Sequence, residues 1–191
     1  MASSLRERLL DAAFEALVEE GPRFRVEEVA ARAEASKALV FHHFGSREGL
    51  LDAMAARVLA QTQEGLERLG QDHPNPRDRL DALARTLLEE PLGDAGAAEA
   101  RRVLLFWLQD DADGGCRGAL RDALLADFVE QTLREATRFG LVRAGVDPAR
   151  VASVLLARWH GATVLHASGE AVDFGREADA LVAELGRLLG A

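Results

Sequence analysis

Residues 26–51 read VEEVAARAEASKALVFHHFGSREGLL, and the punctuation of this stretch decides the fold. Val26, Val29, Ala30 and Ala33 recur at helical spacing and then stop. Ser36 follows as an N-cap, and the run it opens closes at Phe44-Gly45, where a glycine can take the left-handed conformation that ends a helix. Two short helices, expected over 26–33 and 36–44, are therefore separated by about three residues. In the second, Val40 and Phe44 lie four apart and face inward, which directs Lys37, Ala38, Phe41 and His42 outward and leaves Leu39 and His43 near the margin. A helix presented in this way can lie in the DNA major groove with its N-terminal residues at the base edges. The preceding helix and flanking N–H groups then fix its register on phosphates.

Upstream, Ser4 and Glu7 have the spacing of a capping box, and Leu9, Leu10, Ala13, Phe14, Leu17 and Val18 form one apolar stripe that stops at Gly21-Pro22. Downstream, Ser46 caps a long connecting helix whose stripe, Leu50, Leu51, Met54, Val58, Thr62, Leu66 and Leu69, runs to Gly70. Residues 71–76 read as a loop, and Asn75-Pro76 opens a helix that Pro91 stops. Further helices are expected over 101–110 and 118–139, from Asp147-Pro148, and from the cap Asp173. No stretch shows the sustained alternation of a half-buried strand. The expected fold is all-α: a three-helix helix-turn-helix module over 1–50, joined by a long helix to a bundle of about six helices within 51–191.

Residues 26–51 resemble the helix-turn-helix of the TetR (tetracycline repressor) family, with its Ser-Lys-x-x-Leu and aromatic pattern in the second helix and a Ser/Asn-Lys-x-x-Leu start to the next. The resemblance implies DNA contacts from Arg25, Ser36, Lys37, Ala38, Phe41, His42, His43 and Arg47. Lys37 can donate to guanine or phosphate, Ala38 can meet a thymine methyl, and Arg47 stands where the family's lysine touches phosphate. The chain departs from the pattern at four places: Phe41 replaces a tyrosine, Leu39 a threonine, Glu34 the turn glycine, and Glu27-Glu28 the arginine that often opens the first of the two helices. Weaker and more salt-sensitive DNA binding than is usual for the family is expected.

The net charge of −9 argues against attraction of a polyanion by the overall field. Its distribution matters more: residues 1–50 carry net −2, while 22–47 carry about +2 and include the chain's only lysine, Lys37. A small basic face on an acidic body suits local contact with DNA. Apolar residues at 48% and charged residues at 29% describe a globular chain. No apolar run approaches the ~20 residues needed to span a bilayer, and the start lacks a signal peptide's apolar block, so a cytoplasmic protein without membrane association is expected. Cys116 is alone, which excludes an internal disulfide and a cysteine-rich zinc site.

Beyond residue 51 the resemblance rests on helix number, length and order, and it implies an effector pocket among central helices and a dimer interface from the last two. The pocket candidates are Met54, Phe106, Trp107, Phe128, Thr132, Trp159, His160 and Thr163, which suit a hydrophobic or amphipathic ligand. For each of them core packing is the default role, because aromatic and leucine positions at helical spacing ordinarily form the core. The helix after Pro148 is apolar all round, which requires cover on both sides. Val151, Leu155, Ala162, Leu181, Leu185 and Leu188 are accordingly the dimer-interface candidates. Arg158 needs an acidic partner, from a second subunit or a ligand. Together these features predict a homodimeric repressor that binds a palindromic operator in double-stranded DNA and is released by a small molecule. Two other readings stay open: a helical-bundle enzyme or carrier of the same fold, and a DNA-binding regulator controlled by a protein partner. No histidine pair has the spacing of a metal chelate, and no phosphate loop or nucleophile motif occurs, so neither catalysis nor a metal or other cofactor is expected.

Overall fold

A computed structural model describes residues 4–89, 116–143, 145–167 and 170–190. All regular structure among them is helical: α1 (Leu5–Glu20), α2 (Val26–Arg32), α3 (Lys37–Phe44), α4 (Arg47–Asp72), α5 (Pro76–Glu89), α6 (Cys116–Arg138), α7 (Pro148–Ala167) and α8 (Phe174–Leu189), with one 3-10 turn at Gly21–Arg23. The helix expected over 101–110, with Phe106 and Trp107, lies outside the described residues. The chain packs as two compact units, whose described parts are residues 4–61 and 116–117 in the first and 62–89, 118–143, 145–167 and 170–190 in the second. α4 begins in one and ends in the other.

The first unit is built on the stripe of α1. Leu9, Leu10, Ala13 and Leu17 are sealed against Phe24, Val29, Val40, Leu50, Leu51 and Met54, with Phe14, Phe44 and Val58 packed at the edge. Full burial of each leucine contributes about 1.5–3 kcal/mol. Ser4 caps α1 by accepting from the Glu7 backbone N–H at 3.2 Å. Arg57 on α4 reaches back to α1, where its guanidinium lies 2.6 Å from Asp11 and 3.7 Å from Glu7. The first turns of α4 thus belong to the same solid body as the short helices.

In the second unit, α5 packs on α8, and α7 packs on both. α4 does not stop at Gly70 but continues to Asp72, so the loop shrinks to 73–75. Asn75 caps α5 through the Arg77 backbone N–H at 2.9 Å. Arg79 then fastens the loop, donating to the carbonyls of His73 at 3.0 Å and Pro74 at 3.3 Å and to Glu135 of α6 at 2.8 Å. One arginine fork thereby satisfies two loop carbonyls and joins α5 to α6.

Candidate nucleic-acid interface

α2 and α3 meet through a turn that the sequence makes difficult. α2 ends with Glu34 at φ 51°, the left-handed conformation that favours glycine. Its N–H donates to the Ala31 carbonyl at 3.2 Å and the Ala35 N–H to that of Ala30 at 2.8 Å, the paired closure of a Schellman end. Ser36 then caps α3, accepting from the Leu39 N–H at 3.3 Å. Val40 is sunk into the core at 1% exposure and Phe44 is half-buried. Lys37, Ala38, Leu39, Phe41, His42 and His43 form the exposed edge. The two histidine rings meet edge-on with centroids 5.4 Å apart.

α3 closes at Gly45, φ 76°, and α4 starts at once. Ser46 accepts from the Gly49 N–H at 3.0 Å, and at Gly49 a Cβ would sit 2.0 Å from the Phe44 carbonyl oxygen. Only glycine permits this approach, so the angle between α3 and α4 depends on it. Arg47, half-buried, lies over the Phe24 ring at 5.2 Å and 3.7 Å from Glu48. Arg6 of α1 lies over Phe44 at 5.4 Å, a basic group at the end of α3 that spacing within residues 26–51 could not reveal.

The acidic residues of α2 are engaged by neighbouring bases. Glu28 accepts from the backbone N–H of Arg25 at 2.8 Å and from its Nε at 2.9 Å, so half of a capping box opens α2 although Arg25 offers no capping oxygen. The hydrogen bond with Glu20, followed by those from Arg25, draws the Glu28 carboxyl down to about 2. Arg32 is bound by Glu19 and Glu20 of α1. Glu27 meets Lys37 at 2.5 Å, and this bond holds its carboxyl below the ordinary carboxylate range.

The pocket candidates do not share one setting. Met54 is buried in the core of the first unit, packed with Leu50 and Leu51. In the second unit Trp159 is buried with the Arg121 guanidinium 4.3 Å from its ring, and His160 stacks on it at 4.9 Å. His160 Nε2 lies 3.4 Å from Asp122. Burial opposes charge on Asp122, but His160 and Arg121 outweigh it and hold the carboxyl below its ordinary range. Thr132 is buried, Phe128 is half-buried, and Thr163 donates to the Trp159 carbonyl at 2.7 Å. Phe106 and Trp107 lie outside the described residues.

The dimer candidates require a correction. Val151, Leu155, Ala162, Leu181 and Leu185 are buried by their own chain, Leu181 and Leu185 completely, so they have no surface left for a partner. Leu188 is half-buried. On α7, Val164 is 45% and Leu165 53% exposed, with exposed Ala157 and Gly161, and elsewhere in the second unit Phe139 is 67% and Leu141 41% exposed. Arg158 finds its acids within the chain, Glu177 at 2.9 Å and Glu184 at 3.6 Å, and ties α7 to α8.

Comparison with known proteins adds three findings. Residues 9–54 match the model of bacterial regulatory proteins of the tetR family. The HTH-type transcriptional regulator BetI of Stenotrophomonas maltophilia is 35% identical over 104 residues, 53% of this chain and 52% of that protein. Its counterpart in Burkholderia ambifaria is 31% identical over 110 residues, 56% of each chain. The chain thus spans about half the length of the curated relatives it matches. In structure, it resembles SmeT, the repressor of the Stenotrophomonas maltophilia multidrug efflux pump SmeDEF, with TM-score 0.80 and 25% identity over 98% of this chain and 90% of that one. A complex of SmeT with triclosan gives 0.79 at 25% identity, over 97% and 91%. A TetR transcription regulator from Haloarcula marismortui shares the fold at TM-score 0.81 and 19% identity, over 97% and 96%.

Proposed function

As the chain is a member of the TetR family of transcriptional regulators, we propose that it is a homodimeric, cytoplasmic repressor that binds a palindromic operator through α3 and releases it when a hydrophobic or amphipathic small molecule binds the second unit. The observation that carries the reading is the exposed edge of α3, with Lys37 in its first turn, Val40 anchored beneath and Arg47 on the next helix start. Such an edge presents donors to the groove while its other side is fixed. The partner surface is the outer side of α7, Val154, Ala157, Gly161, Val164 and Leu165, where small and apolar residues allow close helix approach. A twofold dimer would set its recognition helices roughly 34–36 Å apart on successive major grooves. Support for a lipophilic effector comes from the SmeT complex with triclosan and from the partly buried side chains of Phe128, His160 and Thr163 beside buried Trp159. Among the described residues, no helix is long and apolar enough to cross a membrane, and no three His, Cys, Asp or Glu side chains are grouped to hold a metal ion.

The test is selection of duplexes from a randomised pool followed by titration. Lys37→Ala is expected to weaken the selected duplex by ~1–3 kcal/mol, and Arg47→Ala to weaken all sequences alike and flatten the salt dependence by about one counterion. Unchanged binding in both variants removes α3 as the reading helix. Effector binding is read by tryptophan fluorescence on titration with triclosan, coupled to release of the selected duplex.

A further inference from the structure

We propose that Glu27 makes Lys37 a reader of bases rather than a binder of phosphates, so that this pair sets the discrimination between the operator and other DNA. The inference rests on the DNA-binding reading above and goes beyond it in assigning a role to an acidic residue. Glu27 stands in the first turn of α2 and Lys37 in the first turn of α3, yet their charged atoms meet at 2.5 Å. Both side chains are about half exposed, at 56% and 51%, so the pair belongs to the surface that would face DNA. The ammonium also lies 5.5 Å from the Phe41 ring, one helical turn along the same edge. It is therefore held between a carboxylate and an aromatic face before any DNA arrives.

A lysine ammonium has three N–H donors. One is given to Glu27, which leaves two for the N7 and O6 acceptors of a guanine. The carboxylate treats the two classes of DNA acceptor differently. A phosphate approaching Lys37 carries full negative charge and meets Glu27 as well. A guanine edge is neutral and meets little repulsion. The Glu27–Lys37 pair carries no net charge with which to displace condensed counterions, so it contributes little to sequence-independent attraction. Arg25 is matched in the same way by Glu28, and Arg32 by Glu19 and Glu20. A surface ion pair of this kind is weak enough to reorganise when a better acceptor arrives.

The experiment compares the intact wild-type protein with Glu27→Gln, Lys37→Ala and the double variant. Each is titrated with a duplex that the wild type selects from a randomised pool, with its single-base variants, and with the unselected pool, across a salt series. Glu27→Gln is expected to bind the unselected pool more tightly and to narrow the ratio of selected to unselected affinity by about tenfold. The preference it relaxes should be at the same base pair of each half-site that Lys37→Ala relaxes, with no further loss in the double variant. Thermal melting of Glu27→Gln should stay at the wild-type value, since the pair is exposed. If Glu27→Gln instead raises affinity for every duplex by one common factor, Glu27 is a passive surface charge and the proposal fails. If the wild type enriches no duplex, the DNA-binding reading itself fails, an outcome distinct from the first.

Discussion

Glu34 and Gly49 show opposite relations between a residue and its backbone. Glu34 occupies a left-handed conformation that costs an L side chain of order 1 kcal/mol, and the closure of α2 by Ala35 and Ala30 holds it there. Glu34→Gly is expected to raise stability by about 0.5–1 kcal/mol, measured by thermal or denaturant unfolding, because glycine removes the strain at a small entropic cost. Gly49 has no such freedom, as a Cβ there would meet the Phe44 carbonyl oxygen at 2.0 Å. Gly49→Ala should lower stability by about 1–3 kcal/mol and weaken binding to selected DNA, since relief of the clash must move α3 or α4. Binding that keeps its wild-type strength in this variant would show that the α3–α4 angle is not set here. Both positions fall in the matched module, but they were not equally legible. The strain at Glu34 was legible because it stands where the resembled pattern has its turn glycine. The demand at Gly49 was not, because it depends on how sharply the chain turns between Phe44 and Arg47. The Glu27–Lys37 contact was equally hidden, as it joins positions on different helices with no periodic relation.

α2, only seven residues long, cannot persist on its own propensity. Its ends are held by Glu28 on the Arg25 N–H and guanidinium, by Arg32 on Glu19 and Glu20 of α1, and by the turn at Glu34. The carboxylates make this fastening pH-dependent. Glu28 titrates in the folded chain at about 2, below its ordinary 4.5. Its contribution is therefore complete above the unfolded value and is lost as pH falls from about 4.5 toward 2. Glu20 is shifted the opposite way, chiefly by the same hydrogen bond with Glu28, and favours the folded state on the acid side, which offsets part of the Glu28 contribution. Melting followed between pH 5 and 3 should show a decline that Glu28→Gln makes shallower, because glutamine can still accept from the Arg25 N–H but no longer titrates. A wild-type melting temperature that stays level over that window would discount the role of Glu28. The element boundaries were legible wherever a cap or breaker carried them, as at Ser4, Ser36, Asn75 and Asp173. They were not at α4, where Gly70 reads as a stop and the helix continues for two residues. An isolated glycine weakens a helix but does not end one that is packed.

For the molecule as a whole, the contacts divide the described chain at Gln61, and the outer side of α7 is the surface proposed to meet a partner. The apolar pattern of α7 announced two covered sides but could not say which one the chain covers itself, because both carry residues at helical spacing. The structure assigns the inner side to Val151, Leu155, Trp159 and Ala162. The assembly test therefore belongs at exposed Leu165 and not at the buried interface candidate Leu185. Leu165→Glu, at a site 53% exposed, should leave melting of the chain nearly unchanged and convert a dimer into a monomer in sedimentation. Leu185→Glu, at a site with no exposure, should unfold the second unit instead, since it buries an unpaired charge. A Leu165→Glu variant that sediments as a dimer would locate the interface elsewhere. The charge of −9 leaves DNA attraction to a small basic face, and within that face Lys37 is the sole lysine of the chain. Its half-exposed ammonium is thus the one side-chain amine open to acylation, alongside the amine of the chain's own N-terminus. An amine-reactive reagent would label the protein at the edge proposed to read DNA and at no other lysine. Loss of that label on adding a duplex, counted by intact mass, would report occupancy of the groove-facing edge directly, with no engineered probe.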